Sequence, residues 1–471
     1  MPVHSARQLA RRIAAQPGIE YAEPNERDFA LLTPNDPRFL PDQWPLKAVT
    51  LSPATTNYGI NAPAAWAITT GNPTIRVAVL DTGIIAHADL SGNVVGGYDF
   101  VSDVVSANDG NGRDPDPSDP GDWVTAAEAS TPGGPFAGCD VSPSSWHGSH
   151  VAGIISAVSN NSLGIAGVSW TSKIVPVRVL GKCGGTIADI ADGIVWAAGG
   201  IVSGVPNNPN PARILNLSLG GLGPCPSIYR SAIATARSLG ALVVVAAGND
   251  NLGTGSVRPA NCPGVMAVTS TAQDGSRAVY SNFGRPAVIS APGGDQPYDV
   301  GVLSTVNSGT TTPVPTPAGD AYAFYHGTSM AAPHVAGTAA LMLAIRPSLE
   351  AHHLAAFIRG TATPYVSYAA PWDCNLHHCG DGIVNAAAAV AAAQACTTPP
   401  SGVPAAVDVA CNGDYDGNGI VSPATDGLIA LRLALGMTGN AVTQGALGTC
   451  ATRTTFDTIR RWSNANCGTT Y

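Results

Sequence analysis

The sequence predicts an α/β fold built on a mainly parallel central sheet, and three observations predict it. The runs Arg76 to Leu80 (RVAVL) and Ala241 to Gly248 (ALVVVAAG) are continuously apolar and rich in β-branched residues, as strands buried on both faces are. The segments HGSHVAGIISAV, from His147, and MAAPHVAGTAALMLAI, after Ser329, carry the apolar periodicity of helices packed on such a sheet. The 54 glycines and 38 prolines in 471 residues supply many turns between elements without forming a low-complexity tract.

From the N-terminus, Ala6 to Ala15 has helical patterning, and Gly18 to Pro24 follows a turn as a short strand. The first 29 residues hold no apolar signal-peptide core, so the chain is expected to start after one. The strand Arg76 to Leu80 is closed by Asp-Thr-Gly and delivers Asp81 at its carboxyl end, where open α/β sheets place their sites. His147 opens a helix after a Ser- and Pro-rich loop, and Ser329 starts another, close to unsatisfied N–H groups and the positive end of the helix dipole. Asn249 follows the Ala241 to Gly248 strand.

These residues suit one chemistry. A serine hydroxyl needs an imidazole to take its proton, and the imidazole needs a carboxylate to fix its tautomer. Each residue alone has an ordinary explanation: Asp81 and Asn249 as turn formers, Ser329 as a helix N-cap, and any one histidine as one of ten. Their joint occurrence, in the order Asp, His, Ser, is what those explanations do not cover. That order departs from the α/β-hydrolase and chymotrypsin arrangements.

The flanking residues VAVLDTG, WHGSHVAG and HGTSMAAPHVAG resemble the signature segments of the subtilisin-like serine proteases, with Ser149 standing where threonine is usual. The resemblance implies a three-layer α/β sandwich and endopeptidase activity on polypeptides, with Ser329 as nucleophile, His147 as base, Asp81 as its orienting carboxylate and Asn249 as oxyanion donor. It selects His147 over His150, which is left as a packing residue. It also implies that the segment Asn216 to Gly221, with Ser218, Leu219 and Gly220, pairs with an extended substrate, and that Val257 narrows the opposite wall of the primary pocket. Two alternatives remain: a dedicated maturation protease of narrow range, and a non-catalytic binding protein on the same scaffold.

The same resemblance makes residues 1–32 a propeptide remnant ahead of a catalytic domain (33–396), and the change of composition after Cys396, with the linker signal Thr397 to Gly402, marks a linker (397–404) and a C-terminal accessory domain (405–471). Self-cleavage is expected between Arg27 and Asp36, with the chain's own propeptide as a partner. A net charge of −9 without a basic cluster excludes nucleic acid as a partner class. No apolar run of about 18 residues predicts a membrane span, and Ala386 to Ala393 is expected to be an ordinary helix. A secreted monomer is expected. The ten cysteines avoid paired CxxC spacing and point to an oxidising compartment. The resemblance pairs Cys139 with Cys183, Cys225 with Cys262 and Cys374 with Cys379, and leaves Cys396, Cys411, Cys450 and Cys467 unassigned.

Calcium is the expected cofactor. In GDYDGNGIVSPATDG, Asp414, Asp416 and Asn418 alternate before the turn glycine Gly419, and the Ile420 carbonyl takes the seventh position, as in an EF-hand loop. The twelfth position is Thr425 and the acid comes one later, at Asp426, a departure that resembles dockerin repeats. The Gly/Pro-rich loop carrying Asp109, Asp114, Asp116, Asp119 and Asp122 is a second candidate. Asp89, in HADL, resembles a structural calcium ligand of the family.

Overall fold

The computed structural model describes residues 32–51, 56–296, 299–367, 372–409 and 411–470, with Ile13, Gln16 and Ile19. Most of the 1–32 segment, including the expected helix and strand there and the start of the expected cleavage window, lies outside the described residues.

The apolar runs become strands β1 (Arg76–Asp81), β2 (Tyr98–Asp99), β3 (Lys173–Arg178), β4 (Ile214–Leu217), β5 (Gly221–Leu222), β6 (Leu242–Ala246), β7 (Val257–Arg258), β8 (Val265–Thr271) and β9 (Ala287–Pro292). Seven of them form one parallel sheet in the order β2-β3-β1-β4-β6-β8-β9. Alternate side chains go to opposite faces of a strand. Accordingly Val77 and Val79 of β1 join one buried cluster, while Ala78 and Leu80 join another. Both faces are covered, which is why these strands read as unbroken apolar runs rather than alternating ones.

The first face carries helices α1 (His147–Ser156), α4 (Thr328–Ile345), α5 (Ala351–Gly360) and α6 (Ala386–Ala395). The second carries α2 (Ile187–Ala197) and α3 (Ser227–Ser238). The result is the expected three-layer sandwich. Helix α4 is, by length and composition, long enough and apolar enough to cross a membrane, which corrects the expectation that no such run exists. It is 83% buried inside the fold, because both of its sides meet sheet or helix; a core helix must be apolar all round for the same reason a spanning one must.

Beyond α6, Val403–Pro404, expected to be linker, pair antiparallel with Ile420–Val421. Helices α7 (Leu428–Ala434) and α8 (Phe456–Cys467) then pack through Ile429, Leu433 and Ile459, with Val442 from the segment between them. This small core is stapled by Cys411–Cys467, and Cys396–Cys450 ties it to the end of α6.

Candidate active site

The chain order of the sheet reverses at β1: β2 and β3 lie to one side and β4 to the other. The crevice at the carboxyl ends of β1 and β4 is therefore the topological switch point at which such sheets bind ligands. Asp81 ends β1, Ser218 follows β4, and the first turns of α1 and α4 deliver His147 and Ser329 to the same place.

Asp81 is 1% exposed and its Oδ1 accepts from His147 Nδ1 at 2.7 Å and from the Thr82 N–H at 2.8 Å. The ring therefore carries its Nδ1 proton toward the carboxylate and turns Nε2 outward. Burial disfavours the imidazolium, but the charge and hydrogen bond of Asp81, with the charges of Asp122 and Asp119, more than offset it, and the His147 pKa is raised. The hydroxyl of Ser329 donates to the Ser218 carbonyl at 3.1 Å. To react it must leave that carbonyl for the imidazole, and such catalytic bonds commonly tighten only when substrate is bound.

Pro333 lies inside α4, four residues after Ser329, and has no N–H to offer the Ser329 carbonyl. The Ser218 hydroxyl takes that place, donating to it at 2.8 Å, and is itself held by Asn216 Nδ2 at 2.9 Å. Asn249 Oδ1 accepts from the Thr328 N–H at 2.9 Å and its hydroxyl at 2.8 Å. With its oxygen so occupied, the amide presents Nδ2 to the crevice. A Cβ at Gly327 would lie 3.4 Å from Asn249 Nδ2 and 3.5 Å from the Ser329 nitrogen, so the missing side chain leaves open a space that both donors border. Thr328 and Pro333 were not singled out from the sequence; the signal available was a proline within an otherwise regular helical pattern.

Val257 Cγ1 lies 3.2 Å from where a Cβ of Gly220 would be and 3.3 Å from one on Gly248, so the valine sits between the two glycine-bearing walls. The Gly221–Leu222 and Val257–Arg258 strands pair antiparallel there. Leu219 and Gly220, together with Cys183 to Gly185, line a neighbouring cleft of about 340 Å³. His150 is fully buried, stacked on Tyr325 at 4.3 Å and bonded through Nε2 to the Ala323 carbonyl, with burial pushing its pKa down to about 3.

The cysteines form Cys139–Cys183, Cys225–Cys262 and Cys374–Cys379, besides the two C-terminal bonds.

The structure does not bring the acidic loop together as a metal site. Asp109 pairs with buried Arg178 at 2.7 Å, and Asp114 and Asp116 accept backbone N–H groups two residues on, at 2.7 and 3.0 Å. Asp119 accepts the Thr82 hydroxyl at 2.7 Å and the Gly121 N–H at 2.9 Å. Asx turns and one arginine account for these carboxylates, and no three of them converge as the C-terminal acids do. Asp89 is likewise held by donors: Asn161 Nδ2 at 2.8 Å, the Ile165 N–H at 2.9 Å and the Tyr322 hydroxyl at 3.1 Å. Burial pushes its pKa up to about 7.

Among the described residues, the group able to hold a cation is Asp414, Asp416 and Asp426, all buried, with carboxylate oxygens within 4.8 Å of one another. Asp414 Oδ2 accepts the Gly419 N–H at 3.0 Å, and Asn418 Oδ1 accepts that of Ile420 at 2.9 Å. Gly419 has φ +90° and a Cβ there would come within 3.1 Å of the His352 carbonyl, so glycine serves both the turn and the contact with α5. Residues Pro423–Gly427 form a π turn. Its wider turn absorbs the extra residue of the loop and carries Asp426 into the place that Thr425 would otherwise take.

The family model for subtilases matches residues 72–398. An extracellular protease of Xanthomonas campestris pv. campestris is 49% identical over 389 residues, 82% of this chain and 62% of that one. An extracellular basic protease of Dichelobacter nodosus is 42% identical over 337 residues, 72% of this chain and 52% of that one. The chain thus spans little more than half the length of these curated relatives. A solved protease structure from Pseudoalteromonas arctica aligns with a TM-score of 0.68 at 49% identity, covering 77% of this chain and all of that one. With the matched region containing Asp81, His147, Asn249 and Ser329 in one crevice, the chain belongs to the subtilase family.

Proposed function

We propose that the protein is a secreted serine endopeptidase. The observation that carries this is the Asp81–His147 hydrogen bond in the crevice where Ser329 and Asn249 also stand. Ser329 Oγ attacks the peptide carbonyl while His147 Nε2 takes its proton, and Asp81 holds the ring and stabilises the imidazolium. The tetrahedral oxyanion is met by Asn249 Nδ2 and the Ser329 N–H. His147 then gives the proton to the leaving amine, leaving an acyl-enzyme on Ser329. Water, activated by His147, releases the acid and restores the hydroxyl. Backbone pairing along Ser218, Leu219 and Gly220 would hold the peptide, and the names of the two extracellular relatives support action outside the cell.

The residues at Asp414, Asp416, Asn418 and Asp426, with the Ile420 carbonyl, suit calcium: an all-oxygen set, buried, with three negative charges that a hard divalent cation would neutralise. Bound there, its role would be structural. Residues 1–32 are read as a propeptide remnant, 33–396 as the catalytic domain and 405–471 as the accessory domain, in a monomer.

Intact mass spectrometry of wild type and Ser329→Ala, each with and without a fluorophosphonate, tests the proposal. Loss of about the first 30 residues and one adduct in wild type, with neither in the variant, supports it. An unlabelled, unprocessed wild type that also leaves unfolded casein intact favours the non-catalytic alternative.

A further inference from the structure

We propose that Asp122 and Asp140 form a subsite for a basic side chain, so that the enzyme prefers lysine or arginine at P2, the residue immediately before the one whose carbonyl is attacked. This rests on the peptidase function proposed above and extends it to substrate choice. An extended peptide lying along Ser218 to Gly221 faces the segment Leu180 to Gly185 across the cleft. Adjoining that segment is a second hollow of about 330 Å³, which shares Leu180, Cys183 and Gly184 and adds Thr82, Ser142, Asp122 and Asp140. Successive side chains of an extended strand point to opposite faces. With the P1 side chain directed at the wall that carries Gly220 and Val257, P2 turns the other way, toward Thr82 and the Asp81–His147 pair that it adjoins.

The charge of this hollow is one-sided. Its ionisable lining consists of the two carboxylates, with no lysine, arginine or histidine among the residues that form it. Lys182, next in the chain to Cys183, is otherwise engaged: its ammonium lies 4.8 Å from the ring centres of both Trp123 and Phe136 and is paired with Glu128. Arg178 is committed to Asp99 and Asp109. Asp122 is held by the N–H and hydroxyl of Ser145 at 2.6 and 2.7 Å, and its charge adds to the field that favours a proton on His147, as its nearness to the ring requires.

The wall is also rigid. Val124 and Ser142 exchange backbone hydrogen bonds at 3.0 and 3.1 Å, so the segments carrying Asp122 and Asp140 run side by side. The Cys139–Cys183 disulfide then ties Asp140 to the cleft segment itself. A cationic side chain therefore meets carboxylates already in place, while an acidic one meets like charge. Water in the cleft screens each charge pair, so the two carboxylates should together give about a tenfold preference.

The test uses the self-processed enzyme and fluorogenic peptides matched except at P2, which is lysine, methionine or glutamate. The expected order of kcat/KM is lysine, then methionine, then glutamate, with lysine about tenfold over methionine at low salt and the gap closing as salt rises. Asp140→Asn, on an exposed side chain, should cut the lysine-to-methionine ratio severalfold, and Asp122→Asn should do the same. The reading is the ratio, so a variant with lower overall activity still reports. Equal cleavage of the lysine and methionine peptides overturns the subsite and leaves the peptidase standing. A lysine preference untouched by both substitutions also overturns it. Cleavage of none of the peptides, nor of casein, overturns the peptidase function on which it rests.

Discussion

Ser218 and Ser329 are hydrogen-bonded to each other in both directions: the Ser218 hydroxyl donates to the Ser329 carbonyl at 2.8 Å, and the Ser329 hydroxyl donates to the Ser218 carbonyl at 3.1 Å. The first bond exists because Pro333 withholds the N–H that would otherwise close that turn of α4. Ser329 is thus fixed to the substrate-binding strand as well as to its own helix. Ser218→Ala should lower kcat about tenfold, the equivalent of one neutral hydrogen bond, with a smaller effect on KM. In Ser218→Ala/Pro333→Ala the restored N–H can take the carbonyl, and part of the loss should return. Steady-state kinetics on one peptide settle it; a double variant no better than the single would show that the carbonyl's partner is immaterial.

His147 must be neutral to accept the Ser329 proton. Its pKa is raised because, although burial opposes the charged form, Asp81, Asp122 and Asp119 together outweigh that. Activity should therefore climb with pH through a midpoint above the ordinary histidine value of about 6.5. Asp122→Asn removes a negative charge, destabilises the imidazolium and should move this acid limb to lower pH. A kcat/KM profile of both proteins checks the direction, and a limb shifted upward would contradict it.

Much of this site was legible because its signals are local. A β-branched run ending in Asp-Thr-Gly, and helices opening at His147 and Ser329, place three groups without knowledge of distant contacts. The acidic loop was not legible, since Asp114 and Asp116 look the same in sequence whether they cap a turn two residues on or ligate a cation. Nor could sequence show that Pro423–Gly427 widens into a π turn, or that Cys396 meets Cys450 and Cys411 meets Cys467, because those depend on how the C-terminal segment folds back on itself. The apolar composition of α4 reflects burial on all sides, which composition alone does not distinguish from a membrane span.

Asp414, Asp416 and Asp426 are buried together, and burial and the Asp426 charge push the Asp416 pKa up to about 7. Calcium removes that mutual repulsion, so it should bind the folded state and raise its stability. At 100 times Kd the gain is about 2.7 kcal/mol. Titrating calcium into Ser329→Ala, which cannot digest itself, should raise Tm in steps that Asp414→Asn/Asp416→Asn abolishes. An undiminished rise in the doubly substituted protein would assign the calcium effect elsewhere.

Arg359 and Asp381 form the remaining test, because their ion pair is where the C-terminal segment meets the catalytic layers. Arg359, at the end of α5, bonds Asp381 Oδ2 at 2.8 Å with both side chains 3% exposed, and its Nη1 reaches the Val409 carbonyl at 3.0 Å. Arg359→Leu strands a buried carboxylate and should cost about 3–5 kcal/mol. Asp381→Leu removes the guanidinium's carboxylate, but the Val407 and Val409 carbonyls still accept from it, so its cost should be smaller. Arg359→Leu/Asp381→Leu removes both charges of the pair and should be more stable than Arg359→Leu alone. Denaturant unfolding of all three in the Ser329→Ala background measures the coupling. Strict additivity would mean that the two residues stabilise the fold independently, and that the junction is held by the Cys396–Cys450 bond rather than by this pair.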